Sequence, residues 1–146
     1  AALSLRGRTA VAQAQVAYLT FKTVFDGPRW QALADKGAQL QRPLWASTST
    51  KNPSYSGTLY VDELIGPNTV NTMPDNTIDA FVKKGTVART VDANPLEAQA
   101  VLDAVSALGV DLDNVAAVLE EEGVASFVKS FDELITSLST KAESLN

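Results

Sequence analysis

The chain has 146 residues, of which 45% are hydrophobic and 20% charged, and its formal net charge is −5. This length can bury the core of one domain, and the composition is ordinary for a globular protein, while the net acidity argues against broad nucleic-acid binding. The chain has no Cys and no His, which excludes a disulfide framework, a thiolate nucleophile and the commonest general base, so acid–base chemistry must use Asp, Glu, Lys or Tyr.

Two helices are predicted before residue 40. One apolar stripe has the i, i+3, i+7 spacing of a helix of about five turns, and Asp26-Gly27-Pro28 ends it. A short helix follows from about residue 29 to residue 36, and Gly37 closes it. The residues of the stripe are Val11, Ala14, Tyr18, Phe21 and Phe25.

Residues 42–46 predict a short strand, because the segment is apolar at its end and is bounded by Pro43 and Pro53. The segment after it is rich in hydroxyl groups, and Lys51 adds a cation, while no carboxylate lies between Asp35 and Asp62. The pattern favours a small anionic ligand such as a phosphate, with a solvated connector as the alternative. The hydroxyl groups belong to Ser47, Thr48, Ser49, Thr50, Ser54, Tyr55 and Ser56.

Three further elements are predicted before residue 86. Residues 59–65 have a helical pattern that stops at Gly66-Pro67, and the β-branched residues of segment 68–73 predict a second strand. Asp75 is then in place to cap a helix that ends at Gly85.

The last third of the chain predicts three helices. Asn94 and Glu97 form a capping-box pattern at the first of them, Asp111 can cap the second, and Ser130 with Glu133 predicts the start of the third. We expect their inward faces to consist of Ala98, Val101, Leu102, Val105, Leu108, Leu112, Val115, Leu119, Phe131, Leu134, Ile135 and Leu138.

The alternation of helices and strands predicts an α/β architecture with parallel strands. Two strands do not make a stable sheet by themselves, so residues 1–146 are expected to be the end of a larger sheet or barrel, within one domain and without an internal boundary. A closed (β/α)8 barrel takes about 250 residues, and its phosphate sites often lie in the loops after strands seven and eight.

Three segments resemble the C-terminal portion of a transaldolase of the bacterial and plant type. They are residues 42–53 (RPLWASTSTKNP), 55–67 (YSGTLYVDELIGP) and 68–74 (NTVNTMP). The resemblance implies a (β/α)8 TIM barrel, of which residues 44–47 would be strand seven and residues 68–73 strand eight, each with its helix, followed by C-terminal helices. The isolated chain is therefore expected to be helix-rich.

The resemblance also implies a function. Transaldolases transfer a dihydroxyacetone unit between sugar phosphates, from sedoheptulose 7-phosphate to glyceraldehyde 3-phosphate, through a Schiff base on a lysine. They work in the cytoplasmic pentose phosphate pathway without a cofactor or metal. The expected partners are sugar phosphates, together with the N-terminal part of the same enzyme or a second copy, and neither nucleic acid nor a membrane is expected.

Site residues follow from the resemblance. The Schiff-base lysine is expected upstream, so no catalytic residue is assigned here and the chain alone is expected to be inactive. Ser47, Ser49 and Lys51 are the expected phosphate-binding residues. Asn71 and Thr72 are possible pocket-lining residues, although strand alternation lets only one of them face the pocket. The alternatives are another sugar-phosphate barrel enzyme, either an aldolase or an isomerase, and a noncatalytic helical interaction fragment.

Overall fold

The computed structural model of the chain describes residues 2–145, which form two compact units, one ending at Leu108 and the other beginning at Gly109. A 3-10 helix at Ala2–Leu5 opens the first unit. The expectation of a single domain stays a prediction. The further elements of the first unit are α1 (Thr9–Val24), α2 (Pro28–Ala34), β1 (Leu44–Trp45), α3 (Leu59–Asp62), β2 (Val70–Asn71), α4 (Asp75–Lys84) and α5 (Pro95–Ser106).

The two strands lie side by side and run parallel, as the sequence predicted. Leu44 pairs with Val70 and Trp45 with Asn71. The ladder is short: the Val70 amide donates to the Pro43 carbonyl and the Thr72 amide to the Trp45 carbonyl, both at 2.9 Å. Within residues 2–145 these two strands make up the whole sheet, so each has a neighbour on one edge only.

Helix α1 takes part in both hydrophobic clusters of the first unit, through different residues. Val11 and Tyr18 pack with Leu64 and the fully buried Val91. The Tyr18 hydroxyl donates to the Pro67 carbonyl at 3.0 Å, which satisfies the polar end of a buried ring. A second cluster joins α1 to α5 through Ala12, Ala98 and Val101.

The segment between α4 and α5 is fastened to this core by polar contacts. The Thr90 hydroxyl donates to the Asp62 carbonyl at 2.6 Å, and the Thr86 amide donates to the Asp62 carboxylate at 3.0 Å. Asp92 accepts hydrogen bonds from Lys22 at 3.2 Å and from Arg89 at 2.6 Å. The segment is thereby tied both to α3 and to α1.

The predicted helix caps have mixed outcomes. Asp111 does cap its helix, since its carboxylate accepts from the Asn114 amide at 2.9 Å. Asp75 is the first residue of α4 and not its cap, which is Pro74. The capping box at α5 is wrong as well: Asn94 makes no side-chain cap, and Glu97 instead accepts from Arg8 at 2.6 Å.

The second unit contains one long helix, α6 (Leu112–Glu143), where two helices were predicted. Ser130 lies inside it and caps nothing, because the chain has neither a proline nor a break in the helical ladder at that point. The faces predicted to be buried are largely exposed, with Phe131 63% and Leu134 55% accessible. None of the helices within residues 2–145 has both the length and the hydrophobicity that a membrane span requires.

Candidate functional site: the loop after the first strand

The candidate site is the loop of residues 46–57, called here the hydroxyl loop, which leaves the C-terminal end of β1 and leads into α3. Ser47 is the second residue beyond the strand and has a φ of 56°. This left-handed conformation is unfavourable for a residue with a side chain and is found preferentially at functional sites and turns. The backbone therefore changes direction at Ser47, directly beyond the strand end.

The strand face that carries Trp45 and Asn71 packs on the helices. The Trp45 indole packs against the α1 core and donates to the Leu64 carbonyl at 3.1 Å. Asn71, its register partner, donates to the Tyr60 carbonyl at 3.5 Å. Both strand ends are thus held to residues 60–64 by side chains.

The opposite face of the sheet is open. Successive side chains of a strand point to opposite faces, so Leu44 and Thr72 lie opposite Trp45 and Asn71. Leu44 is 53% exposed, which is high for an apolar residue of a sheet. The Thr72 side chain is also exposed, and its hydroxyl lies 3.4 Å from the Trp45 carbonyl. Of the two residues predicted as pocket lining, the structure therefore places Asn71 on the helix side and Thr72 on the open side.

Several hydroxyl groups of the loop are used to hold its shape. Thr48 is buried and donates to Asn71 at 2.7 Å, and Thr50 donates to the Ser56 carbonyl at 3.2 Å. The Asn52 side chain accepts from the Ser54 amide at 3.0 Å. These contacts fold residues 48–56 into an ordered turn and do not leave them as an extended connector.

Other side chains of the loop keep their polar groups available. Within residues 2–145, the side chains of Ser47, Ser49 and Lys51 make no hydrogen bond or ion pair with the protein, and the same is true of Ser54. Ser47 and Lys51 are exposed, and Ser49 is partly buried. The three predicted phosphate-binding residues thus lie in one five-residue stretch at the end of β1, with donors free to meet an anion.

All seven lysines of the chain have exposed side chains. Lys22 is paired with Asp92, and Lys129 lies 3.8 Å from Glu133. A lysine that forms an imine needs a desolvated pocket or a neighbouring cation to lower its pKa. Within the part of the chain that the structure describes, no lysine has such a pocket.

Comparison with known proteins decides the family. The family model described as Transaldolase/Fructose-6-phosphate aldolase matches residues 1–138, which is nearly the whole chain. The chain belongs to this family. The resemblance predicted from residues 42–74 is thereby confirmed.

Curated relatives in this family are named transaldolases. The transaldolase of Mycobacterium leprae (strain Br4923) is 51% identical over 146 residues, covering 99% of this chain and 39% of its own length. That of Mycobacterium tuberculosis (strain ATCC 25618 / H37Rv) is 54% identical over 136 residues, covering 92% of this chain and 36% of its own length. The chain therefore spans about two fifths of the length of the transaldolase-family relatives it matches.

One residue of the candidate site was not singled out from the sequence. Thr48 was counted as one hydroxyl among seven, yet it is 3% exposed and bonds across to the second strand. No local signal distinguishes it from Ser47 or Ser49, since all three lie in the same polar run. Its role depends on Asn71, which is 23 residues away in the sequence.

Proposed function

We propose that this chain is the C-terminal part of a transaldolase (β/α)8 barrel and carries the phosphate-binding end of its active site. In this proposal β1 and β2 are strands seven and eight. The parallel pair, which packs on helices with its Trp45 and Asn71 face and leaves the Leu44 and Thr72 face open, supports it. In a barrel the face opposite the helices lines the interior, which inward-facing side chains of the strands fill. The loops after these two strands are where such barrels often bind phosphate.

The phosphate ligands in this proposal are Ser47, Ser49 and Lys51. Their donors are unused by the protein, and they follow directly on the strand end, where barrel enzymes place their ligands. Lys51 contributes a compact positive charge, and the serine hydroxyl groups contribute donors whose hydrogens rotate toward a phosphate oxygen. The absence of carboxylates between Asp35 and Asp62 leaves the anion without a repelling neighbour in the sequence.

The reaction we propose for the whole enzyme is the transfer of a dihydroxyacetone unit from sedoheptulose 7-phosphate to glyceraldehyde 3-phosphate, giving erythrose 4-phosphate and fructose 6-phosphate. A lysine amine condenses with the ketose carbonyl to an imine and releases water, and cleavage of the bond between C3 and C4 then releases erythrose 4-phosphate and leaves the three-carbon unit on the lysine as an enamine. The enamine attacks the aldehyde carbon of glyceraldehyde 3-phosphate, and water hydrolyses the resulting imine to free the lysine and fructose 6-phosphate. The exposure of all seven lysines supports a nucleophile outside this chain. The chain alone is accordingly expected to be inactive, and the enzyme to work in the cytoplasm.

A second candidate is an aldolase that cleaves fructose 6-phosphate without an acceptor. The family description itself names this activity beside transaldolase. The two differ in whether the three-carbon unit leaves as free dihydroxyacetone or passes to an aldose phosphate. Release of dihydroxyacetone from fructose 6-phosphate, compared with and without erythrose 4-phosphate, distinguishes them.

The phosphate role of Lys51 is tested by Lys51→Met in the protein expressed from its full reading frame, with Lys36→Met as a matched control at another exposed lysine. A lost charge-assisted hydrogen bond is worth about 1.5–3 kcal/mol, so KM for fructose 6-phosphate should rise at least tenfold. The turnover of unphosphorylated fructose should stay within about twofold. Equal effects of the two substitutions on KM would contradict the phosphate site.

The location of the nucleophile is tested on the 146-residue chain itself. Treatment with fructose 6-phosphate and borohydride reduces any imine to a stable secondary amine, which peptide mass spectrometry locates. We expect no adduct on any of the seven lysines. An adduct on one of them would place the nucleophile in this chain and refute that part of the proposal.

A further inference from the structure

We propose that Thr48 is a positioning residue that sets the geometry of the phosphate loop through the backbone of Ser47. The inference rests on the proposed phosphate site and names the device that holds it. Thr48 is 3% exposed, and its hydroxyl lies 2.7 Å from the Asn71 side-chain oxygen and 3.2 Å from the Thr72 carbonyl. Its side chain points into the protein, toward the second strand.

The direction of these hydrogen bonds follows from the acceptors. Asn71 Nδ2 donates to the Tyr60 carbonyl at 3.5 Å, which fixes Oδ1 as the atom that faces Thr48. A threonine hydroxyl has one hydrogen, and both of its neighbours here are oxygen acceptors. The hydrogen therefore goes mainly to the closer atom, Asn71 Oδ1, and the chain of bonds runs from Thr48 through Asn71 to Tyr60.

Ser47 lies between two anchored residues. Trp45 is held by the strand ladder and by its bond to the Leu64 carbonyl, and Thr48 is held by Asn71. The φ of 56° at Ser47 is one that a free serine avoids, so it persists only where the surroundings enforce it. Without the Thr48 anchor the backbone would relax toward the ordinary regions. The Ser47 hydroxyl and the Ser49–Lys51 segment would then leave their positions beside the strand end.

The experiment measures how inorganic phosphate protects Lys51 from acetylation, read by peptide mass spectrometry at constant ionic strength. Lys36 serves as an internal control in every sample. Four proteins are compared: the parent, Thr48→Val, Thr48→Ser and Thr77→Val. The valine at position 48 keeps the shape of the threonine side chain but lacks the hydroxyl group, whereas the serine keeps the hydroxyl group. Thr77 is an equally buried threonine in α4. Thr48→Ala replaces Thr48→Val if that variant does not fold.

We expect Thr48→Val to raise the half-protecting phosphate concentration about five- to tenfold, in line with the loss of one hydrogen bond. Thr48→Ser and Thr77→Val should stay within twofold of the parent. Full protection in Thr48→Val, or equal loss in Thr48→Ser, would overturn the positioning role while leaving the phosphate site intact. If phosphate does not protect Lys51 even in the parent, the proposed phosphate site fails and the role of Thr48 fails with it.

Discussion

Asp92→Asn should destabilise the protein in a pH-dependent way, because this carboxylate connects two cations. Its side chain is 8% exposed, and its oxygens accept from Arg89 Nε at 2.8 Å, from Arg89 Nη2 at 2.6 Å and from Lys22 Nζ at 3.2 Å. The hydrogen bonds from Arg89, with a smaller contribution from the Lys22 bond, outweigh the opposing effect of burial and lower the pKa of Asp92 from 3.8 to about 2. At 1.36 kcal/mol per pKa unit, this corresponds to about 2 kcal/mol.

The sign of the effect follows from the direction of the pKa shift. A carboxyl group whose pKa is lower in the folded state stabilises the fold above its unfolded pKa, and the contribution is lost as the pH falls through the folded pKa. Asp92→Asn should therefore lower the free energy of unfolding by about 2 kcal/mol at pH 7. The difference from the parent should shrink below about pH 4 and nearly vanish by about pH 2. Salt should reduce it too, since the Lys22 and Arg89 side chains are about half exposed.

The measurement is urea unfolding followed by far-UV circular dichroism at a series of pH values and at two salt concentrations. Asp79→Asn, at an exposed aspartate of α4, is the matched control and should change the free energy of unfolding by less than about 0.5 kcal/mol. A difference between Asp92→Asn and the parent that is the same at pH 7 and near pH 2 would refute the reasoning, because protonation would then have no part in it.

Substitutions at Ser47 and Gly66 test the backbone conformation and the packing of the core. Ser47→Gly should be more stable than Ser47→Ala by about 1 kcal/mol in urea unfolding, because only glycine accepts a φ of 56° without strain; equal stabilities would contradict the left-handed conformation. Gly66→Ala should lower stability by about 1–3 kcal/mol, because its Cβ would overlap the side chain of the fully buried Val91. Gly123→Ala is the control, because its Cβ meets no atom of the described residues within 4 Å, and it should stabilise its helix by up to about 1 kcal/mol in the same assay. An equal loss of stability in Gly66→Ala and Gly123→Ala would rule out the overlap with Val91.

Local patterns predicted the elements where periodicity and punctuation agree. The stripe from Val11 to Phe25 became α1, and Asp111 became a cap, because each depends on residues within one or two turns. The predicted helix start at Ser130 was wrong, because a Ser and a Glu three residues apart cap only a helix that starts there. Nothing in the sequence breaks α6 at that point. The predicted capping role of Glu97 was wrong because its partner, Arg8, lies 89 residues away in the sequence.

The same limit applies to the candidate site. The sequence predicted which side chains follow β1, and it predicted that Asn71 and Thr72 face opposite ways. Which of the two faces the helices depends on Thr48 and the Tyr60 carbonyl, and these contacts cross from one part of the chain to another. Periodicity within one strand carries no information about that choice.

The partners of α1 have a consequence for synthesis of the chain. Lys22 meets Asp92 and Gln15 meets the Thr90 carbonyl, 70 and 75 residues further on. At a synthesis rate of about 5–20 residues per second, α1 is made some 4 to 15 s before these partners exist. Throughout that interval Ala12 of α1 lacks its contacts with Ala98 and Val101, so this part of the core forms only after translation has passed Val101.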